Sequence, residues 1–209
     1  MRSSKFSKFL KASTLVCAAA LLAACSNAPV RQAQWVAPEL GAQSRLLQSG
    51  PVLVVCDFYD AAVRQICQDD LVRAVRAKGG NPVTLPAGTA LLGDRELDDQ
   101  LVAPAKTIGA GAVVVLALNP VTSPANSGLT VGLGGFNFGR GGGVGVGLSA
   151  PIGGDRLLTT WAGNGRVTDA RTGRLVWTTS LSAAPGALEG QLQSLADGVA
   201  TAAQESGLF

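Results

Sequence analysis

Four cysteines, each in a different setting, offer thiol chemistry in this 209-residue chain. Cys17 lies inside an apolar run, Cys25 closes the block Leu22-Ala23-Ala24-Cys25, Cys56 ends the run Pro51-Val-Leu-Val-Val-Cys56, and Cys67 follows in the next segment. Histidine is absent from the whole chain, which excludes histidine metal sites, Ser-His-Asp triads and Cys-His dyads together. The acid–base candidates that remain are Asp57, Asp60, Asp69 and Asp70. Paired carboxylates catalyse only from a shared cleft. Asp60 reads more simply as a helix cap, and Asp69 and Asp70 as a solvated helix face. Despite 27 glycines, neither Gly-x-Gly-x-x-Gly nor Gly-x4-Gly-Lys occurs, so no phosphate-cradling loop is expected. The expectation is a protein without catalytic residues, cofactor or metal.

Cys25 has a different chemistry in prospect. Arg2, Lys5, Lys8 and Lys11 precede an apolar run from Ala12 to Ala24 with small residues at its end, the layout of a bacterial signal peptide over residues 1–24. A membrane-spanning anchor needs about 20 apolar residues, and this run has 13. The block Leu22-Ala23-Ala24-Cys25 resembles the lipobox of bacterial lipoproteins. That resemblance implies a diacylglycerol on the Cys25 thiol, cleavage just before it and acylation of the new amine. Ser26 stands where inner-membrane retention would favour Asp, so the resemblance implies the periplasmic face of the outer membrane.

Removing residues 1–24 with their four cations leaves 13 Lys and Arg against 14 Asp and Glu, a charge of −1 in place of +3. The basic balance belongs to the signal segment, no basic patch remains, and nucleic acid is not an expected partner. In an oxidising compartment Cys56 and Cys67 are either a disulfide pair or two buried thiols.

The elements that would carry these residues are legible from periodicity. Residues 25–50 are rich in Ser, Asn, Gln, Ala and Pro without a sustained period, which reads as a lipidated flexible tether reaching roughly 25 to 30 Å. The domain then occupies 51–209. Pro51 to Cys56 is a continuous apolar run suited to a strand covered on both faces. Asp60 stands as N-cap to a helix carrying Val63, Ile66, Cys67, Leu71, Ala74 and Val75, stopped by Gly79-Gly80. Pro82 to Leu85 reads as a parallel second strand. Asp94 offers a cap to a helix through Leu97, Leu101, Val102 and Ile108, which Pro104 must kink or divide. Val113 to Leu118 is a third apolar strand.

From Gly128 to Gly154, 12 of 27 residues are glycine, alternating in places with apolar residues. Period-two alternation predicts a β-hairpin with Val131, Leu133, Phe136, Phe138, Val144, Val146 and Leu148 as its bulky residues. The competing reading is a disordered loop, because glycine weakens strands. As a hairpin, the stretch is expected to contact another protomer or the membrane, because its glycine face admits close approach and its edge is unguarded. A second hairpin joins Leu157–Thr168 to Arg174–Ser182 through Asp169-Ala-Arg-Thr-Gly173, with Trp161 and Trp177 as packing residues. Leu188, Leu192, Leu195, Val199 and Ala202 mark a terminal amphipathic helix. The fold class is α+β: a mixed sheet packed by helices, in the order βαβαβ, hairpin, hairpin, α.

Val52 to Cys56 ahead of an amphipathic helix, Gly109-Ala-Gly-Ala-Val113 ahead of an apolar strand, and Asp169-Ala-Arg-Thr-Gly-Arg-Leu-Val-Trp177 before a terminal helix together resemble the periplasmic domain of CsgG-like, PelC-like and TolB amino-terminal-like proteins. The Gly-rich stretch is similar to that of Gly-rich envelope lipoproteins. The resemblance covers about residues 51–205 and implies action by assembly, in rings or as adaptors of envelope export machinery, with the membrane, copies of itself or other envelope proteins as partners. One extra hairpin in place of two long amphipathic ones departs from the pore-forming members and argues against an independent pore. The rival reading is a periplasmic sensor or inhibitor module with a small-molecule or glycan cleft.

Overall fold

A computed structural model of the chain describes residues 28–86, 96–124 and 157–209. The signal segment, Cys25, the Asp94 cap and the 128–154 stretch with its seven bulky residues lie outside them.

Six strands form one mixed sheet in the order β1-β6-β5-β4-β2-β3. Strand β2 (Pro51–Asp57), one in from the β3 edge, runs parallel to both β4 (Ala112–Pro124) and β3 (Asn81–Val83). In β2, residues 52–56 are all buried, because side chains alternate between two covered faces. Val52, Val54 and Cys56 point toward α1 (Ala61–Ala77) and α3 (Leu188–Glu205), whereas Leu53 and Val55 join Val113, Val115, Leu101 and Ala105 beneath α2 (Leu97–Thr107). Two helices cover one face, and one helix covers part of the other.

Local chemistry sets the element ends. Asp60 Oδ1 accepts from the amides of Ala62 and Val63 at 2.9 and 3.0 Å, which caps α1. Gly79, at φ 87°, takes the left-handed position just past the α1 terminus. Strands β5 (Leu157–Asp169) and β6 (Arg174–Ser182) meet in a turn where Asp169 Oδ1 accepts from Arg171 N and Gly173 holds φ 71°. Pro104 sits in the last turns of α2 without dividing it. A proline that late removes a single intrahelical bond, and Ile108 N still closes the turn on Pro104 O at 3.1 Å.

The tether reading needs correction. Val30–Val36 is a strand, β1, antiparallel to β6 at the sheet edge. Residues beyond it are docked as well: Ala37 N donates to Val176 O, Arg45 N to Gly207 O and Leu47 N to Leu208 O, and Leu47 is buried. Only the residues before Ala28 remain for a tether. Polarity hid the strand, because an outer strand exposed along most of its length, Val-Arg-Gln-Ala-Gln-Trp-Val, has no buried face to impose an apolar period.

Helix α3 approaches β5 closely enough to exclude side chains from it. A Cβ at Gly165 would fall 2.8 and 2.9 Å from the two methyls of Val199, and one at Gly163 would fall 2.9 Å from Leu116 Cδ1. Replacing a strand glycine by alanine ordinarily helps by about 0.5–1 kcal/mol, but overpacking costs about 1–3 kcal/mol, so the clash decides the sign. Gly165→Ala is expected to lower the urea midpoint with an unchanged slope; an unchanged or higher midpoint would show that α3 can retreat freely.

Candidate functional site: a buckled strand, an open face and one apolar pole

Strand β3 is too short to pair with the second half of β2, and the side of β2 beyond Leu53 is closed from α1 instead. Gln68 Oε1 accepts from Cys56 N at 2.8 Å while its Nε2 donates to Val54 O at 2.7 Å, the two bonds a longer neighbouring strand would have supplied. One residue away, Cys67 is joined to Cys56 by a disulfide with Cα atoms 6.0 Å apart. Helix and strand are thus fastened covalently and by a side-chain amide at the same level.

The four aspartates do not assemble into an acid–base pair. Asp60 caps α1, Asp69 accepts from Gln65 Nε2 on its own helix at 2.9 Å, and Asp70 accepts from Arg73 at 2.6 Å. Burial raises the Asp70 pKa, and Arg73 opposes the rise. Asp57 is exposed at the end of β2. Among the described residues, no group of three or more His, Cys, Asp or Glu could hold a metal ion.

On the α2 side, the sheet beyond β4 is left open. Register places Ala33 and Trp35 of β1, Thr178, Ser180 and Ser182 of β6, and Ala162, Asn164 and Arg166 of β5 on this face. It is a carpet of small and hydroxylated residues with Trp35 at one margin, 47% exposed. At its centre Arg166 Nε lies 3.0 Å from Asp98 Oδ2 of α2. The pair is close but poorly aligned: Arg166 Nε, Asp98 Oδ1 and the neighbouring Thr178 Oγ1 are buried without a well-directed hydrogen bond. Burial lifts the Asp98 pKa above its usual 3.8, and the Arg166 charge opposes that rise.

Among the described residues, three of the four exposed large apolar side chains lie at one end of the sheet. Val30 pairs with Ser182, Ser182 with Ala162, and Ala162 with Asn119, so β1 starts level with the point where β4 and β5 leave the sheet as a two-stranded arm. Val121 lies on that arm, and Tyr59 follows β2, whose last residue, Asp57, pairs with Ala117. Their exposures are 61% for Val30, 85% for Tyr59 and 43% for Val121. Phe58 roots this pole by an edge contact to Trp161, ring centroids 5.0 Å apart. Beside it, a shallow groove of about 670 Å³ between β1 and α3 is lined by Pro29, Arg31, Leu181, Asp197, Gly198 and Glu205.

Sequence reasoning missed β1 with Trp35, Tyr59 and the Asp98–Arg166 pair. A lone tyrosine between a strand end and an N-cap was the one available hint of the pole; the ion pair joins residues far apart in sequence and left none.

The architecture is therefore that of a mixed α+β sheet with helices on both faces. No protein-family model matches the chain, and no curated protein matches it. Among solved structures it is similar to the PelC dodecamer from Paraburkholderia phytofirmans in two crystal forms. The P6 form aligns at TM-score 0.48 and the C2 form, of a point variant, at 0.47; in both, identity is 13% over 82% of this chain and 94% of that one.

Two measurements probe these contacts. Gln68→Leu strands two buried backbone groups and should cost about 2 kcal/mol by denaturant titration; a neutral result would show that water or a shifted β3 replaces the amide. Arg166→Met leaves the Asp98 carboxylate without its cation. An acid whose folded pKa lies above 3.8 holds its proton more tightly when folded, so stability falls as pH rises from there through the folded value. With both side chains only 22–24% exposed, the expected loss is about 1–2 kcal/mol at neutral pH, shrinking toward pH 4 as Asp98 protonates. An equal loss at both pH values would mean that only packing was removed.

Proposed function

We propose that the mature chain is a lipid-anchored component of the bacterial envelope, held at the periplasmic face of the outer membrane. It works by assembling with copies of itself or with other envelope proteins, in a structural or export role and without catalysis. The anchor rests on Leu22-Ala23-Ala24-Cys25 behind a cationic, apolar leader. The Cys56–Cys67 disulfide suits an oxidising compartment, and the helix-local partners of Asp60, Asp69 and Asp70 suit a non-catalytic role.

The observation that carries the assembly reading is the sheet edge at β1. Along Val30–Val36 the strand pairs with β6 on one side only, and a bare edge of this length is a template for a neighbouring chain. Val131, Leu133, Phe136, Phe138, Val144, Val146 and Leu148, in the connection between β4 and β5, are the second contact in this proposal. A sensor module binding a small molecule or glycan is the other reading, favoured by Trp35 beside the hydroxyl-rich open face, since an aromatic ring flanked by hydrogen-bonding groups suits a sugar.

Intact mass of the membrane-extracted protein should begin at Cys25 with added acyl chains, and Cys25→Ser should release it from the membrane. Light scattering on the detergent-solubilised protein should give a discrete oligomer that Val146→Lys dissociates. A monomer that binds a small molecule or glycan would favour the sensor, and an oligomer unchanged by both Val146→Lys and deletion of 130–148 would remove that stretch from the interface.

A further inference from the structure

We propose that the pole formed by Val30, Tyr59 and Val121 rests in the headgroup layer of the bilayer that holds the Cys25 lipid. The inference rests on lipidation at Cys25 and adds to it the orientation of the domain.

Chain reach is the first argument. Pro29 is packed on α3: a Cβ at Gly198 would lie 2.4 Å from Pro29 Cγ. Only Ser26 and Asn27 separate Cys25 from Ala28, and three residue steps span at most about 11 Å even when fully extended. A coil of about 25 residues would have let the domain float and tumble. A link this short holds the end of the molecule where β1 begins against the lipid surface.

The second argument is what that end presents. Val30, Tyr59 and Val121 are exposed there together, and the β4–β5 arm points the same way. A tyrosine carries an apolar ring with a polar tip, which suits the interface between headgroups and acyl chains. Tyr59 is supported for this by the Phe58 ring at 4.3 Å centroid separation. Charge selects the lipid. Asp57, Asp60 and Glu189 stand around the pole together with Arg64, whose guanidinium donates to Phe58 O at 3.2 Å. A pole carrying both signs of charge fits a zwitterionic headgroup such as phosphatidylethanolamine, with contact made by apolar groups and little affected by salt.

The test uses the mature acylated protein, from Cys25 onward, in phosphatidylethanolamine–phosphatidylcholine vesicles. Tyr59→Cys and Val121→Cys place a fluorophore at the pole; Arg76→Cys and Lys106→Cys place it at the far end. Cys25 is acylated and Cys56–Cys67 is paired, so the new thiol alone reacts. Nitroxide-headgroup lipids should remove about half of the emission at 59 and 121, as for groups entering the interface by 5–10 Å, and leave 76 and 106 unchanged, while aqueous iodide should do the reverse. Salt should not alter the pattern. Protein that fails to float with the vesicles overturns the anchor and this inference together. Floating protein whose pole labels are open to iodide overturns the orientation alone. Labels at 59 and 121 shielded from both quenchers assign the pole to a protein contact and overturn it as well.

Discussion

Helix α3 is packed onto the sheet at a distance that leaves no room for a β-carbon at Gly165 and little at Gly163, where Leu116 of β4 also crowds the position, and much of the remaining structure follows from that closeness. Leu192, Leu195, Ala196 and Val199 bury against β5 and β4. Polar groups that would be stranded by so tight a contact are matched one by one. Gln191 accepts from Trp161 N and donates to Gly186 O, and Ser206 accepts from the buried Trp177 indole while donating to Ala202 O. The same helix receives the chain's first described residues, with Arg31 paired to Glu205 and Gln34 donating to Ser206. Close packing here therefore does more than exclude water. It recruits β1 to the sheet and shortens what would otherwise be a tether.

The two halves of the sheet solve the burial problem differently. Around β2 and β4 both faces are covered, so their residues are apolar without alternation, and the strands run parallel because each returns through a helix. From β5 to β1 only the α3 side is covered, and the opposite face carries hydroxyls, amides and the Asp98–Arg166 pair. That pair stands where the α2 cover ends. Its carboxylate has lost much of its water without gaining a fully aligned partner.

Of the carboxylates that could have suggested acid–base work, Asp60 caps α1, Asp69 and Asp70 bond within their own helix, and Asp57 stays exposed. The described surface offers a bare edge along β1, a hydroxylated face and an apolar end where β1 begins. These are three surfaces with different chemistry, formed by different residues.

By itself the sequence determined those elements whose burial imposes a period: the apolar β2 and β4, the α1 face carrying Cys67 and Leu71, the β5–β6 hairpin with Gly173 in its turn, and the α3 face of Leu192, Leu195 and Val199. It also determined the α+β class, since the order of those periods leaves few topologies. Only the tertiary structure decided that Val30–Val36 is a strand, because its backbone is satisfied by β6 while its side chains stay wet, and wet side chains carry no pattern. Only the tertiary structure placed Gln68 where a neighbouring strand is missing, paired Asp98 with Arg166 and brought Val30, Tyr59 and Val121 to one end. Each of these depends on which distant residues become neighbours once the sheet has closed its register and α3 has settled on its glycines, and local spacing holds no record of that.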